Sequence, residues 1–125
     1  MGPRLLVLDD DQNILAVLRT YFGRLGWHVE ACAEASAGLH LVDSDAPFDV
    51  VICDLHFTGA HLGEGYEILT RARRRRPRAA VLLLTAAAGE DIREEALRRG
   101  ADEVIAKPVP LARLRDAALR AMKKP

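Results

Sequence analysis

Three short stretches of this chain are apolar at every position: Leu5-Leu6-Val7-Leu8, Val50-Val51-Ile52-Cys53 and residues 79–84. Each runs directly into a polar side chain, Asp9, Asp54 and Thr85 respectively. A strand with one wet face alternates polar and apolar residues. An unbroken apolar run this short is instead a strand buried on both faces, the kind found in parallel sheets covered by helices. In a parallel sheet every strand ends on the same edge, and open α/β folds bind their ligands along that edge.

Between these runs the period changes to that of helices. Ile14, Leu15, Val17, Leu18, Tyr21, Phe22 and Leu25 fall at helical spacing, with Asp11 placed as N-cap and Gly26 as the stop. Residues 27–33 read as a strand, and residues 35–42 as a weak, alanine-rich helix turning Leu39 and Val42 inward despite Gly38. After the strand ending at Asp54 comes a polar, glycine-containing loop, then a helix over about 66–76 that Pro77 helps to end. Glu90 and Asp91 open a helix that closes at Gly100, Glu103 to Ala106 form a last strand, and Lys107-Pro108 follow. Pro110 starts a terminal helix with Leu111, Leu114, Ala118, Leu119 and Met122 on one stripe. Five strand-then-helix units in 125 residues predict one α/β domain over residues 1–125. Its sheet is parallel, its crossovers right-handed, and its helices lie on both faces.

Composition narrows the function classes. With 18 basic and 18 acidic residues the formal net charge is +0, so no global field would hold nucleic acid or an anionic membrane. No apolar run is long enough to span a bilayer. Cys32 and Cys53 sit in strand-like sequence and read as buried free thiols of a cytoplasmic protein. His28, His40, His56 and His61 lack metal-ligand spacing. The arginines at 71, 73, 74, 75, 76 and 78 read as a solvated helix end whose charge complements the helix dipole, with an anion- or partner-binding patch as the other possibility.

The strand ends are where chemistry concentrates. Asp9 and Asp10, Asp54, Thr85 and Lys107 all follow strands and should converge on one edge. At about 4 Å and an effective dielectric of about 20, each pair of carboxylates repels by roughly 4 kcal/mol. A raised pKa or a cation relieves that repulsion. A hard divalent ion with oxygen ligands fits, and magnesium also binds phosphate oxygens. Lys107 adds a fixed positive charge, and the Thr85 hydroxyl can donate a hydrogen bond. These are the parts of a phosphoryl-transfer site with a carboxylate nucleophile.

In those motifs the chain resembles the receiver domains of two-component response regulators over essentially its whole length. Asp9-Asp10-Asp11 resembles the family's acidic motif, and Asp49 to Leu55 its phosphoacceptor strand. Leu84-Thr85-Ala86 resembles the switch-threonine strand, and Gly100-Ala101-Asp102 with Lys107-Pro108 the last motif. The resemblance implies a flavodoxin-like, doubly wound sheet of five strands in the order 2-1-3-4-5 with five helices. It implies that Asp54 accepts a phosphoryl group from a histidine kinase, a phosphotransfer protein or a small donor. Magnesium would be held by Asp9, Asp10, Asp54 and the backbone carbonyl of His56. Thr85, Ala86 and Lys107 would bind the phosphoryl group, and the Lys107–Pro108 peptide would be cis, aiming the lysine amine at the acids. Such a domain promotes its own phosphorylation and hydrolysis rather than acting as a conventional enzyme. It signals by protein contact to an effector, through an output domain beyond Pro125, or as a homodimer.

Three positions depart from the family pattern: Thr58 stands where proline is usual, residues 57–65 make a loop about three residues longer, and Val104 replaces an aromatic. Without the aromatic swing, the 57–65 loop and residues 86–91 are expected to carry the conformational change. His56, two residues past the acceptor, could orient or block the water that hydrolyses the phospho-aspartate. Other readings are an inactive pseudo-receiver serving as scaffold or dimerisation module, and a dehalogenase-like phosphotransferase. The second would need an acid where His56 stands. A flavodoxin-like nucleotide binder would need a glycine- or hydroxyl-rich loop where Asp9-Asp10-Asp11 stand.

Overall fold

The computed structural model describes residues 2–55 and 62–123. Strands and helices alternate along the chain: β1 (Arg4–Leu8), α1 (Gln12–Arg24), β2 (His28–Cys32), α2 (Ala35–Asp43), β3 (Val50–Cys53), α3 (Leu62–Arg75), β4 (Ala80–Thr85), α4 (Glu90–Arg98), β5 (Glu103–Ala106) and α5 (Leu111–Met122). All pairings are parallel and the sheet order is β2-β1-β3-β4-β5, the doubly wound order expected.

The period of two along each strand divides the core into two layers. Leu5, Val7, Val50, Ile52, Leu82, Leu84 and Ile105 pack against Leu15, Leu18 and Phe22 of α1 and Leu114, Ala117, Ala118 and Ala121 of α5. Leu6, Leu8, Val51, Cys53, Val81, Leu83 and Val104 face α2, α3 and α4. Every residue of β3 and β4 is buried, which is why their sequences carry no polar alternation. Asp49 ties the start of β3 to β1, donating its N–H to Arg4 O at 2.8 Å and accepting the Arg4 N–H on Oδ2 at 2.9 Å. Asp11 caps α1, its carboxylate accepting from the N–H groups of Asn13 at 2.9 Å and Ile14 at 3.4 Å. Among the described residues no helix is long and apolar enough to cross a membrane.

Several expectations from the sequence change. The third helix begins at Leu62, not near Tyr66, and ends at Arg75, so the last four positions of the expected 57–65 loop are helical. One of the glycines that suggested a loop there, Gly65, has a packing reason. A Cβ at Gly65 would lie 2.7 Å from Leu55 Cα and 2.9 Å from Leu55 O, so only glycine lets α3 approach the end of β3. Strand β2 is trimmed to residues 28–32, and β4 begins one residue later and takes in Thr85. Leu119 is exposed rather than part of the buried stripe of α5, because the small Ala117, Ala118 and Ala121 let that helix lie close to the sheet. Val17 and Leu25 on α1 are likewise exposed, at 50% and 42%.

Two arginines of the run, Arg73 and Arg76, prove to be structural, while Arg74, Arg75 and Arg78 are exposed as a solvated helix end would be. Arg76 reaches back to the end of α2 and donates to the carbonyls of Val42, Ser44 and Ala46, over the ring of Phe48 at 5.2 Å. Arg73 donates to the carbonyls of Pro77, Ala79 and Gly100 and pairs with Asp102 at 2.8 Å. Asp102 in turn accepts from Val81 N–H at 2.8 Å. Arg71 and Arg75 instead make exposed ion pairs, with Asp43 and Glu67 and with Asp45, of the kind that contribute little.

The Arg73 clamp makes a checkable demand on Gly100, which sits at φ +112° with Arg73 Cγ 2.6 Å and Cβ 2.7 Å from where a Cβ would stand. Gly100→Ala should therefore lower stability by about 1–3 kcal/mol, from left-handed backbone strain plus overpacking. Urea denaturation would measure it. In an Arg73→Ala background the added cost should shrink by the Cγ contact but not vanish, because alanine keeps the Cβ at 2.7 Å and the backbone strain remains.

Candidate functional site

Each candidate side chain is placed by the strand it follows. Asp9 N–H donates to Cys32 O of β2 at 3.1 Å, and Asp54 N–H donates to Leu8 O of β1 at 2.9 Å. Lys107 N–H donates to Thr85 O of β4 at 3.0 Å. The sheet ladder thus continues one residue beyond each strand and holds these backbones in register before the side chains turn into the pocket. The Lys107–Pro108 peptide is cis, as expected.

Asp9, Asp10 and Asp54 each present a carboxylate oxygen, all within 4.8 Å of one another. Asp9 and Asp54 are buried, at 2% and 5% exposure, while Asp10 is half-buried. The Lys107 ammonium lies between the first two, 2.7 Å from Asp9 Oδ2 and 2.8 Å from Asp54 Oδ2. The second Asp9 oxygen accepts the N–H of Asp11 at 2.9 Å. Asp11 therefore contributes its backbone here and spends its carboxylate on the α1 cap.

Charge in this pocket is held at a cost. Burial raises the Asp9 pKa above the ordinary carboxylate value, and the Lys107 hydrogen bond, the Asp11 N–H and the Lys107 charge lower it without restoring it. At Lys107, burial acts to lower the pKa, but the hydrogen bonds and charges of Asp54 and Asp9 together outweigh it and the net shift is upward. Two buried carboxylates thus share one ammonium beside a third acid. That donor set, hard oxygens with excess negative charge, suits a hard divalent cation. Behind it, the Cys53 thiol is fully buried, with its pKa pushed far up first by desolvation and then by the charges of Asp54 and Asp9. Cys32 and Cys53 are both free and buried.

Thr85 closes the inner wall, with no exposed surface, and its Oγ1 accepts the Ala87 N–H at 3.3 Å. That bond uses the oxygen as acceptor and leaves the hydroxyl proton for donation. Ala86 is exposed at the mouth. Val104 is buried at 2% in the layer facing α2, α3 and α4. His56 and Thr58, with the expected roles of the first in metal binding and hydrolysis, lie outside the described residues.

The sequence reading missed an apolar groove of about 280 Å³ beside this pocket, lined by Ile14, Val17, Pro108, Val109 and Leu111 and by the Lys107 stem. Its signal was present: Val17 and Leu111 were assigned to the core by spacing, although a helix against a sheet buries a narrower stripe.

The model of the response regulator receiver domain family matches residues 5–119. The transcriptional activator protein PfeR of Pseudomonas aeruginosa is 35% identical over 122 residues, covering 95% of this chain and 38% of PfeR. The chain thus spans well under half the length of that relative. Among solved structures, the beryllofluoride-activated DrrB receiver domain superposes with a TM-score of 0.85 at 26% identity, covering 99% of this chain and 100% of that one. A response regulator of Burkholderia pseudomallei, solved with a phosphorylated aspartic acid, a calcium ion and citrate, also gives 0.85 at 25% identity, covering 94% of this chain and 66% of the other.

Proposed function

The chain belongs to the receiver family of response regulators, and from that premise we propose that it is a phosphorylation switch with Asp54 as its phosphoacceptor. The observation that carries this reading is the Lys107 ammonium shared by Asp9 and Asp54 beside Asp10. The Asp54 carboxylate attacks the phosphorus of a phosphohistidine or a small acyl phosphate. The donor's P–N or P–O bond breaks with its electron pair leaving on the donor, and an aspartyl phosphate remains. Water later returns the carboxylate and inorganic phosphate.

Magnesium, held by Asp9, Asp10 and Asp54, would supply positive charge against the carboxylates and the phosphoryl oxygens. Lys107 is already placed to follow one of those oxygens as Asp54 becomes esterified. Thr85 offers its hydroxyl proton to another, and the exposed Ala86 leaves room at the mouth. The phosphohistidine of a kinase or phosphotransfer protein enters along the groove beside Lys107, where Val17 gives a partner apolar surface. The protein acts on itself rather than turning over an external substrate. It works in the cytoplasm and passes on its state by protein contact.

Incubation with a small phosphodonor and magnesium, read by intact mass, tests the proposal. The expected result is a gain of one phosphoryl group, mapped by proteolysis to the peptide holding Asp54 and lost when magnesium is chelated. No gain under conditions that label another receiver, or label on a peptide without Asp54, would overturn it.

A further inference from the structure

Helix α4 is the helix least embedded in the core. Ala96 is its one fully buried side chain among the described residues, where α1 buries Leu15, Leu18 and Phe22 and α5 buries Leu114, Ala117, Ala118 and Ala121. Ile92 and Ala88 add partly buried contacts near its start. A helix held by so few apolar contacts belongs to the low-stability end of a fold, where switching elements are drawn from.

The far end of α4 is held differently. The Arg99 guanidinium, at the helix C-cap, stands 4.8 Å over the ring centroid of Tyr66 on α3. It is aimed there by Glu95, which accepts from Arg99 Nε at 2.6 Å, and it reaches Thr70 Oγ1 at 3.5 Å. Thr70 Oγ1 donates to Tyr66 O at 3.0 Å, closing a ring of contacts between the two helices. Tyr66 is buried to 9% exposure in the same layer as Leu55, Leu83 and Val104.

Tyr66 also touches the site through its neighbour. Gly65 lies against the Leu55 backbone with no room for a Cβ, and Leu55 directly follows Asp54. A shift of the acceptor strand's end therefore reaches the first turns of α3 with no slack to absorb it. The other end of α4 follows the segment after Thr85. The helix is thus approached from the site at both ends, in a chain whose position 104 carries a buried valine.

We propose that the Tyr66–Arg99 contact is a latch that pins α4 in the unphosphorylated state and is released when Asp54 is phosphorylated. The proposal rests on the reading of Asp54 as the phosphoacceptor. The latch is the ring face, not the hydroxyl, against the guanidinium, set by Glu95 and Thr70. It makes α4 the bistable element that the chemistry biases. Because the contact is partly desolvated, its loss should raise local opening of α4 by about two- to fivefold.

Backbone hydrogen exchange on α4, with and without magnesium and beryllofluoride, tests this in the wild type and in Tyr66→Leu, Tyr66→Phe, Arg99→Gln and the Tyr66→Leu/Arg99→Gln double variant. The wild type should exchange faster over residues 90–98 when beryllofluoride binds. Tyr66→Leu and Arg99→Gln should each show that faster exchange without the ligand. The double variant should show no more than either single change, and Tyr66→Phe should behave as wild type. Additive effects in the double variant, or a full beryllofluoride response remaining in Tyr66→Leu, would overturn the latch. Phosphodonor labelling is run on the same proteins. Absence of label in the wild type would strike the reading of Asp54, while exchange of the unliganded variants reports on the latch independently.

Discussion

Asp54→Asn should take up phosphoryl groups from a small donor more than about a hundredfold more slowly than the wild type, a floor well below measured costs of deleting a catalytic nucleophile. The side chain keeps its size, so it stays in the buried position at the end of β3, within reach of the Lys107 ammonium that now stands 2.8 Å from Asp54 Oδ2. What it loses is the anionic oxygen that, on the proposed function, attacks phosphorus. The fold should not suffer, because the substitution removes one of three carboxylates whose oxygens lie within 4.8 Å and leaves Lys107 paired with Asp9. A urea midpoint no lower than wild type without magnesium, together with the missing mass gain, would separate loss of chemistry from loss of structure. Rapid labelling that persists and maps to Asp9 or Asp10 would show that the nucleophile is misassigned.

How much of this was legible in the sequence follows from which interactions are local. The runs Leu5–Leu8 and Val50–Cys53 ending in Asp9 and Asp54 were readable because burial on both faces erases alternation, and a carboxylate can end such a run only where the strand leaves the core. The α1 cap was readable because Asp11 satisfies N–H groups two and three residues ahead. Convergence of Asp9, Asp54 and Lys107 followed from parallel topology, with no need to know any side-chain angle.

The start of α3 was hidden because Gly63 and Gly65 look like loop residues, and only the contact of Gly65 with Leu55 across the fold explains a glycine there. The stripe of α5 was misjudged because hydropathy favours Leu119 over Ala117, whereas close helix–sheet packing favours the smaller residue. Arg73 and Arg76 were read as solvated because most of their acceptors are backbone carbonyls, which carry no signature in the sequence. Arg99 carried no signal either, because its Tyr66 and Thr70 partners are side chains on α3, far from it in sequence.

Lys107→Met should make the stability of the protein depend on magnesium and on pH. Its ammonium is the counter-charge of two buried carboxylates, at 2.7 and 2.8 Å. Removing one member of a buried charged cluster costs about 3–5 kcal/mol, because the charges left behind lack a partner. Methionine keeps most of the stem's apolar contact beside Val109 and Leu111, so the loss would be electrostatic rather than a cavity. The direction with pH follows from Asp9. Burial already holds its pKa above the ordinary value of 3.8, and the Lys107 hydrogen bond and charge are among the influences holding it down. Without Lys107 it should rise further. A carboxyl group with a raised folded-state pKa favours folding when protonated, and that contribution fades as pH climbs through the raised value. The stability gap between variant and wild type should therefore be small at about pH 4 and widen toward pH 7. Magnesium at about a hundred times its dissociation constant would return about 2.7 kcal/mol if it binds only the folded state. Urea midpoints at the two pH values, each with chelator and with magnesium, check all three statements. A variant as stable as wild type at pH 7 in chelator would mean that the folded protein does not need the ammonium as a counter-charge, and that it is there for the phosphoryl group alone.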